Sequence, residues 1–195
     1  MGAHMTCGQM GRIALLTLAI TGSGCASRKE ESAPPVPPVD SRPEETAVKT
    51  STLECSLSAP AQVKAGEPVE LVFKLTNTTK QPLYVLKWHT PLEGIRNNIF
   101  TVTRAGSAAE LSYGGPMMKR GPPDASAYAT IAPGESVEGR VDLSLAYELN
   151  QPGTYHVTFR GPLMDVTSDA AKVPALSGEF HDVAVKCPPV DITVT

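Results

Sequence analysis

The sequence has little charge, few aromatic side chains and no long apolar run, and these shortages narrow the possible functions. Charged residues make up 19% of the 195 residues and aromatic residues 5%, and the formal net charge is -3. Binding to nucleic acid or to an anionic membrane surface needs a concentrated basic patch, which this composition does not supply. The 18 prolines and 16 glycines favour strands and turns over helices. We therefore expect one β-rich domain and no nucleic-acid partner.

Motifs of the common catalytic and metal sites are also missing. The chain contains no HExxH, GxSxG, P-loop or GxGxxG pattern. The nearest approach, Gly134-Glu-Ser136, lies in a Pro-Gly turn and has Glu138 in place of the second glycine. There is no CxxC pair and no closely spaced pair of histidines, so no metal site and no cofactor are predicted. These absences favour a binding protein over an enzyme.

The first 25 residues are predicted to be an export signal. Arg12 precedes a short apolar stretch at residues 13–20, which small residues and Cys25 follow. Such a stretch cannot cross a bilayer core of about 30 Å, but it suits a secretory signal peptide. A cysteine directly after small residues resembles a bacterial lipobox, although Gly22 stands where leucine is usual. We expect Cys25 to be the lipidated mature N-terminus; the alternative is an ordinary signal peptide cut near Ala26.

Residues 26–51 are predicted to be a disordered tether rich in proline and glutamate. The segment has no aromatic residue and no leucine, so it cannot bury an apolar face. The tether would hold the domain at a lipid anchor in the cell envelope, in the outer membrane facing the periplasm or the surface. The globular domain is then expected at residues 52–195. Its two cysteines, Cys55 and Cys187, are expected to form a disulfide that ties the first strand to the last.

The domain is predicted to consist of short strands separated by Gly and Pro turns. The clearest strand is at residues 69–76, where apolar and polar side chains alternate and residues 77–80 follow as a predicted hairpin turn. Prolines beside the last strand predict a sheet edge, and Tyr155 after a Pro-Gly pair predicts a tyrosine corner. The other predicted elements are strands at 53–57, 83–88, 98–104, 110–113, 127–131, 137–143, 154–160 and 183–195, and one helical turn near 145–149.

The pattern of strands indicates an all-β fold, an antiparallel β-sandwich, because no apolar stretch of ten residues reads as a helix. Two loops of this sandwich carry residue types that suit contact with a protein. Trp88, the one tryptophan, stands at a strand end, and we favour core packing over partner contact for it. The second loop carries Met-Met-Lys-Arg at 117–120, between Gly-Gly-Pro and Gly-Pro-Pro. It is either a stiffened contact surface or an ordinary long crossover.

A resemblance to a known family rests on four segments: LTNTTKQPLYVLKWHTPLEGIRNNIFTVTR, YGGPMMKRGPP, TIAPGESVEGRVDL and YELNQPGTYHVTF. Together they resemble the prodomain of deuterolysin-type (aspzincin) metalloendopeptidases, a group that includes the peptidyl-Lys metalloendopeptidases. WHTPLEG and MMKRGPP are the specific part of the match. Prodomains of this family are similar to immunoglobulin-like sandwiches, and they keep the zinc protease latent by covering its cleft. The chain departs from the family in lacking an HExxH helix and in a longer connection at residues 161–178.

The resemblance implies an exported immunoglobulin-like β-sandwich that binds and inhibits a separate, secreted zinc metalloendopeptidase. Lys119 and Arg120 are expected to enter an acidic specificity pocket, and Met117 and Met118 to make apolar contacts. The neighbouring wall of the contact is expected to consist of Trp88, His89, Thr90, Pro91, Leu92 and Glu93. The alternative is a non-inhibitory envelope module that binds or chaperones other proteins, and an orphan hydrolase is the third hypothesis.

Overall fold

The computed structural model describes residues 52–176 and 178–195, which form ten β-strands and four short 3-10 helices. The strands are, in chain order, β1 Leu53–Ser58, β2 Gln62–Val63, β3 Glu70–Asn77, β4 Leu83–Leu86, β5 Phe100–Arg104, β6 Tyr128–Ile131, β7 Ser136–Asp142, β8 Gly153–Phe159, β9 Val166–Thr167 and β10 Val190–Val194. The 3-10 helices are Pro91–Glu93, Ala125–Ala127, Leu143–Leu145 and Ala170–Lys172. None of the described helices is long and apolar enough to span a membrane. The predicted signal peptide (1–25), with Cys25, and the predicted tether (26–51) lie outside the described residues.

The strands form three sheets, with the orders β1-β3-β7, β2-β10-β8-β5 and β6-β4-β9. All pairings are antiparallel except that of β2 with β10. Alternation along β3 places Leu71, Phe73 and Leu75 in the core, as the period of two predicts. The Phe73 ring lies 5.0 Å from the ring of Phe159 in a second sheet, centroid to centroid. The all-β sandwich predicted from the sequence is therefore confirmed.

The predicted disulfide between Cys55 and Cys187 is present. It joins β1 to the segment before β10, so it links two different sheets. The first and last strands do not pair, because β1 pairs with β3 and β10 lies between β2 and β8. The prediction that the last strand is a sheet edge is wrong. Pro188 and Pro189 precede β10 rather than interrupt it, and the two-residue β2 pairs with its other side.

The predicted hairpin turn after β3 is a crossing between sheets, since β3 and β4 do not pair. Asn77 is fully buried there, and its side-chain amide donates to the carbonyl oxygens of Gln81 (2.8 Å) and Ile131 (2.9 Å). Its side-chain oxygen accepts from the backbone N–H of Thr79 at 2.9 Å. The asparagine therefore supplies the hydrogen bonds that a hairpin partner would have supplied.

Several predicted elements are shorter than the sequence indicates. The predicted strand at 110–113 is reduced to a single bridge between Thr103 and Glu110, and the strand predicted from 183 begins only at Val190. The helical turn expected near 145–149 is the 3-10 helix Leu143–Leu145. The tyrosine corner is confirmed, because the Tyr155 hydroxyl donates to the carbonyl oxygen of Gln151 at 2.8 Å.

The long connection between β8 and β10 is held by a buried carboxylate. Asp165 is 1% exposed and accepts hydrogen bonds from the Tyr128 hydroxyl (2.7 Å) and the His181 backbone N–H (2.8 Å). The Tyr128 hydroxyl in turn accepts from the backbone N–H of Ala175 at 3.2 Å. Burial, and after it the hydrogen bond to Asp165, raises the pKa of Tyr128 to about 12. Residues 165, 175 and 181 of the connection are thus held together through the buried Tyr128–Asp165 pair.

Candidate functional site

The two loops that the sequence marks for protein contact lie against each other. The guanidinium carbon of Arg120 lies 5.0 Å from the centroid of the Trp88 ring, and its Nη2 lies 2.6 Å from Oε1 of Glu93. The backbone N–H of Met118 donates to the carbonyl oxygen of Arg96 at 3.0 Å. Residues 88–93 and 117–120 therefore form one continuous surface, which we call the loop surface.

The 3-10 helix Pro91–Glu93 shapes the first half of the loop surface. Thr90 caps its start: its hydroxyl accepts from the backbone N–H of Leu92 at 3.2 Å and donates to the carbonyl oxygen of Lys87 at 2.6 Å. Proline suits the first helical position, since its fixed φ is helical and no N–H is needed there. The Thr-Pro-Leu-Glu sequence is a capping pattern that could have predicted this helix.

Glu93 connects the two loops. Its Oε1 accepts from the backbone N–H of His89 at 3.0 Å and also faces Arg120, and the side chains of Glu93 and Arg120 are only 13% and 16% exposed. His89 itself adopts a φ of 57°, a left-handed conformation that is uncommon for a residue other than glycine. The carboxylate therefore holds both a strained turn and the guanidinium of the second loop.

Arg120 is a mostly buried member of the loop surface. Its Nε atom is buried without a hydrogen-bond partner, and the 2.6 Å contact with Glu93 lacks hydrogen-bond geometry. Charge attraction to Glu93 and a cation–π contact with the Trp88 ring hold the guanidinium. Lys119, next to it in the chain, is exposed, as are Met117 (67%) and Met118 (45%). Lys119 and Arg120, which are adjacent in the sequence, thus differ in exposure: Lys119 is exposed to solvent and Arg120 is mostly buried.

Trp88 does not pack in the core, so that prediction is wrong. β4 ends at Leu86, which leaves Trp88 half-buried in the following loop, where its ring supports Arg120. In the same loop Thr90 and Pro91 are buried, Leu92 is half-buried and His89 is exposed. His89 is therefore the residue of this segment that is most available to a partner, while its neighbours shape the surface.

The second loop is also held at its two ends. At its start, the Tyr113 hydroxyl donates to the carbonyl oxygen of Pro116 at 2.6 Å, and the Tyr113 ring packs edge-on against Tyr147 at 5.6 Å. At its end, Asp124 caps the helix Ala125–Ala127. The Ser126 hydroxyl, which hydrogen-bonds to the Asp124 carboxylate, holds the pKa of that carboxyl below its usual value. The exposed residues are therefore carried on an anchored loop.

Gly139 on β7 is a residue of this site that sequence reasoning missed. A Cβ atom at this position would meet the backbone carbonyl group of Pro91 and the backbone nitrogen of Leu92. The 3-10 helix can therefore dock on β7 only because the strand lacks a side chain here. A glycine inside a strand pattern is the sequence signal for such a close backbone approach.

Gly139→Ala is expected to lower the free energy of unfolding by about 1 to 3 kcal/mol, as overpacking against atoms that cannot move aside commonly does. Urea unfolding followed by circular dichroism measures the change. Gly121→Ala is the matched control, because a Cβ atom there would meet open space and its backbone is not in the left-handed region. Equal stability of the two variants would contradict the close approach of helix and strand.

A small cleft adjoins the loop surface at His89. It has a volume of about 370 Å³ and includes Arg160, Met164 and Asp182 in its walls. Arg160 is engaged there by Glu110, whose Oε2 lies 2.5 Å from its Nη2. Among the described residues, no three His, Cys, Asp or Glu side chains are grouped so that they could hold a metal ion. The loop surface and the adjoining cleft thus combine aromatic, apolar and charged side chains.

The chain belongs to the immunoglobulin-like domain family, whose sequence profile matches residues 52–177. Domains of this family are typically non-catalytic. The chain is also distantly similar to proteases. It is 29% identical over 107 residues to an extracellular protease of Aeromonas hydrophila, which covers 54% of this chain and 30% of that protein. It is 28% identical over 138 residues to a neutral protease 2 homolog of Blastomyces gilchristii (strain SLH14081), covering 68% of this chain and 36% of that protein.

The chain therefore spans about a third of the length of these two relatives. Among solved structures, it is similar to a CARDB domain from Pyrococcus furiosus that was determined in complex with di-metal ions. That match covers 73% of this chain and 87% of the other at 11% identity, with a TM-score of 0.29. A score this low supports no inference about function. What the comparisons establish is an immunoglobulin-like domain with distant similarity to proteases.

Proposed function

We propose that this protein is an exported lipoprotein that binds a secreted zinc metalloendopeptidase of the deuterolysin type and inhibits it by covering its active-site cleft. The observation that carries the proposal is the anchored loop that presents Met117, Met118 and Lys119 to solvent and that lies against the loop with Trp88 and Glu93. The distant similarity to an extracellular protease and a neutral protease 2 homolog supports the choice of partner. A lipid anchor at Cys25 would place the protein in the outer membrane, facing the periplasm or the surface.

The mechanism is occlusion by a preorganised loop. A loop whose ends and middle are already hydrogen-bonded loses little conformational freedom when it binds, so more of the contact energy appears as affinity. Lys119 supplies a cation for an acidic pocket in the cleft, and the two methionines supply flexible apolar contact. In this proposal Lys119 is the cation that enters the partner, and Arg120 holds the loop through its contacts with Trp88 and Glu93.

The proposal predicts that the protein, at a concentration equal to that of a deuterolysin-type protease, suppresses cleavage of a peptide substrate and remains intact. Lys119→Ala is expected to raise the inhibition constant about 30-fold, which corresponds to about 2 kcal/mol and lies at the low end for a desolvated charge contact. Inhibition kinetics with the parent and the variant give both values. The loss of one exposed side chain should leave the fold unchanged.

Lys80→Ala is the matched control, because Lys80 is an exposed lysine in the crossing after β3. It should inhibit as well as the parent. A folded Lys119→Ala variant with undiminished inhibition would remove the loop from the mechanism and leave residues 88–93 as the inhibitory element. If the parent inhibits no deuterolysin-type protease, the proposal fails and the non-inhibitory envelope module replaces it.

A further inference from the structure

We propose that Trp88, Glu93 and Arg120 form a latch that fixes the shape of the exposed residues 117–119 and protects the peptide bond after Lys119 from cleavage. Arg120 is then a positioning residue, which acts through the loop and makes no contact with the protease. The inference rests on the proposed function for what the loop contacts. It extends that function by stating how a loop that offers a lysine to a protease would remain uncut.

The latch holds the guanidinium of Arg120 from two sides. The Trp88 ring lies against it with its centroid 5.0 Å from the guanidinium carbon, and Glu93 Oε1 lies 2.6 Å from Nη2. Glu93 is itself fixed, because the same oxygen accepts the backbone N–H of His89 at 3.0 Å. Both charged side chains are mostly removed from water, so their attraction is stronger than that of an exposed pair.

Arginine is not the residue expected at position 120 if the side chain served only to stabilise the fold. An apolar side chain of similar size could cover the Trp88 ring without the cost of desolvating two charges. A guanidinium, however, can lie over an aromatic ring and face a carboxylate at the same time, so it is held from two sides. The Arg120–Glu93 pair therefore fixes the position of the loop at residue 120 more than it adds to the stability of the fold.

The bond between Lys119 and Arg120 lies between two fixed points. On one side, the backbone N–H of Met118 donates to the carbonyl oxygen of Arg96 at 3.0 Å. On the other side, the latch holds the side chain of Arg120. Proteases bind the chain around the cleaved bond in an extended form, commonly as an added strand. In this proposal the held side chain of Arg120 keeps the loop from fitting a protease cleft until the latch opens, so the rate of cleavage follows the population of the open state.

The test uses the full chain with Arg120→Ala, which uncovers the Trp88 ring, removes the cation that Glu93 faces and keeps Lys119. Because Trp88 is the one tryptophan of the sequence, intrinsic fluorescence reports on the latch directly. We expect its emission to shift to longer wavelength. Cleavage after Lys119 by a lysine-specific serine endopeptidase should become about tenfold faster, the size expected when one such contact is lost. Cleavage after Lys80 is the internal reference and should not change.

Two further variants separate the latch from general loss of stability. Glu93→Gln keeps the shape of the side chain and removes its charge, so it should also speed cleavage after Lys119. Arg120→Lys keeps the charge without the planar group, so it should restore only part of the protection of the bond between positions 119 and 120. Mass spectrometry of the fragments separates this cut from the one at the new lysine site that the substitution creates after position 120. Faster cleavage at Lys80 to the same degree as at Lys119 would show a general loosening and would overturn the latch.

Unchanged emission and unchanged cleavage after Lys119 in Arg120→Ala and Glu93→Gln, both folded by circular dichroism, would also overturn the latch. None of these measurements involves a metalloprotease. A failure of the latch is therefore distinguished from a failure of the proposed inhibition, which is measured with the unaltered chain and its target.

Discussion

Replacement of Cys55 and Cys187 together by alanine is expected to lower the free energy of unfolding by about 3 to 5 kcal/mol. The bridge spans a sequence separation of 132 residues, and loop-closure entropy for a loop of this size amounts to nearly 5 kcal/mol, with measured values often lower. Domains of this size commonly have a total stability of about 5 to 15 kcal/mol. Urea unfolding curves of the oxidised parent and the double variant measure the difference.

Reduction of the parent provides the internal control for this prediction. A reducing agent should move the parent's unfolding curve onto that of the double variant and should leave the variant's own curve in place. Substitution of the exposed neighbours Ser56 and Lys186 by alanine is the matched control, and both changes should be nearly neutral. A parent that unfolds at the same urea concentration when reduced would contradict the stabilising role of the bridge.

The disulfide and the strands could be predicted from the sequence because their signals are local or few in number. Two cysteines in the domain permit one bridge, and the alternation through Phe73 identifies a buried strand face. The order of the strands could not be predicted, since partners are chosen by contacts far apart in the chain. Asn77 is an example. Asparagine commonly closes a hairpin turn, but here its side chain donates hydrogen bonds to backbone carbonyls, and the chain crosses to another sheet.

The loop surface was predicted in its parts but not in its arrangement. The sequence marks both loops as stiff and rich in contact residues, yet it does not distinguish Lys119 from Arg120, which are adjacent cations. Only the fold brings Glu93 and Trp88 against the second loop, so that Arg120 is mostly buried and Lys119 is exposed. The close approach of Pro91 to the backbone of β7 likewise depends on tertiary packing. Gly139 is the residue in the sequence that indicates it.

Asp165→Ala is expected to lower the free energy of unfolding by about 3 kcal/mol. Two hydrogen bonds to a buried carboxylate are lost, each worth about 1.5 to 3 kcal/mol, and partial relaxation of the site recovers some of this loss. The variant leaves the Tyr128 hydroxyl and the His181 N–H without their acceptor. The connection that these groups hold carries Met164 and Asp182, which line the cleft beside His89. Urea unfolding measures the loss, and Asp169→Ala, an exposed cap in the same connection, is the milder control.

The dependence of stability on pH gives this prediction a second readout. The pKa of Tyr128 is raised in the folded state to about 12, so its contribution to stability is complete below the unfolded value of 10.0 and is lost as the pH rises from about 10 to about 12. Tyr128→Phe should remove this part of the alkaline loss, while Tyr147, whose pKa burial also raises to about 12, retains its own part. Asp165→Ala should remove less than Tyr128→Phe does, because burial contributes more to the shift than the hydrogen bond from the hydroxyl to Asp165. Identical alkaline unfolding profiles for the parent and both variants would show that the Tyr128–Asp165 pair does not hold the connection, and the stability lost in Asp165→Ala would then need another cause.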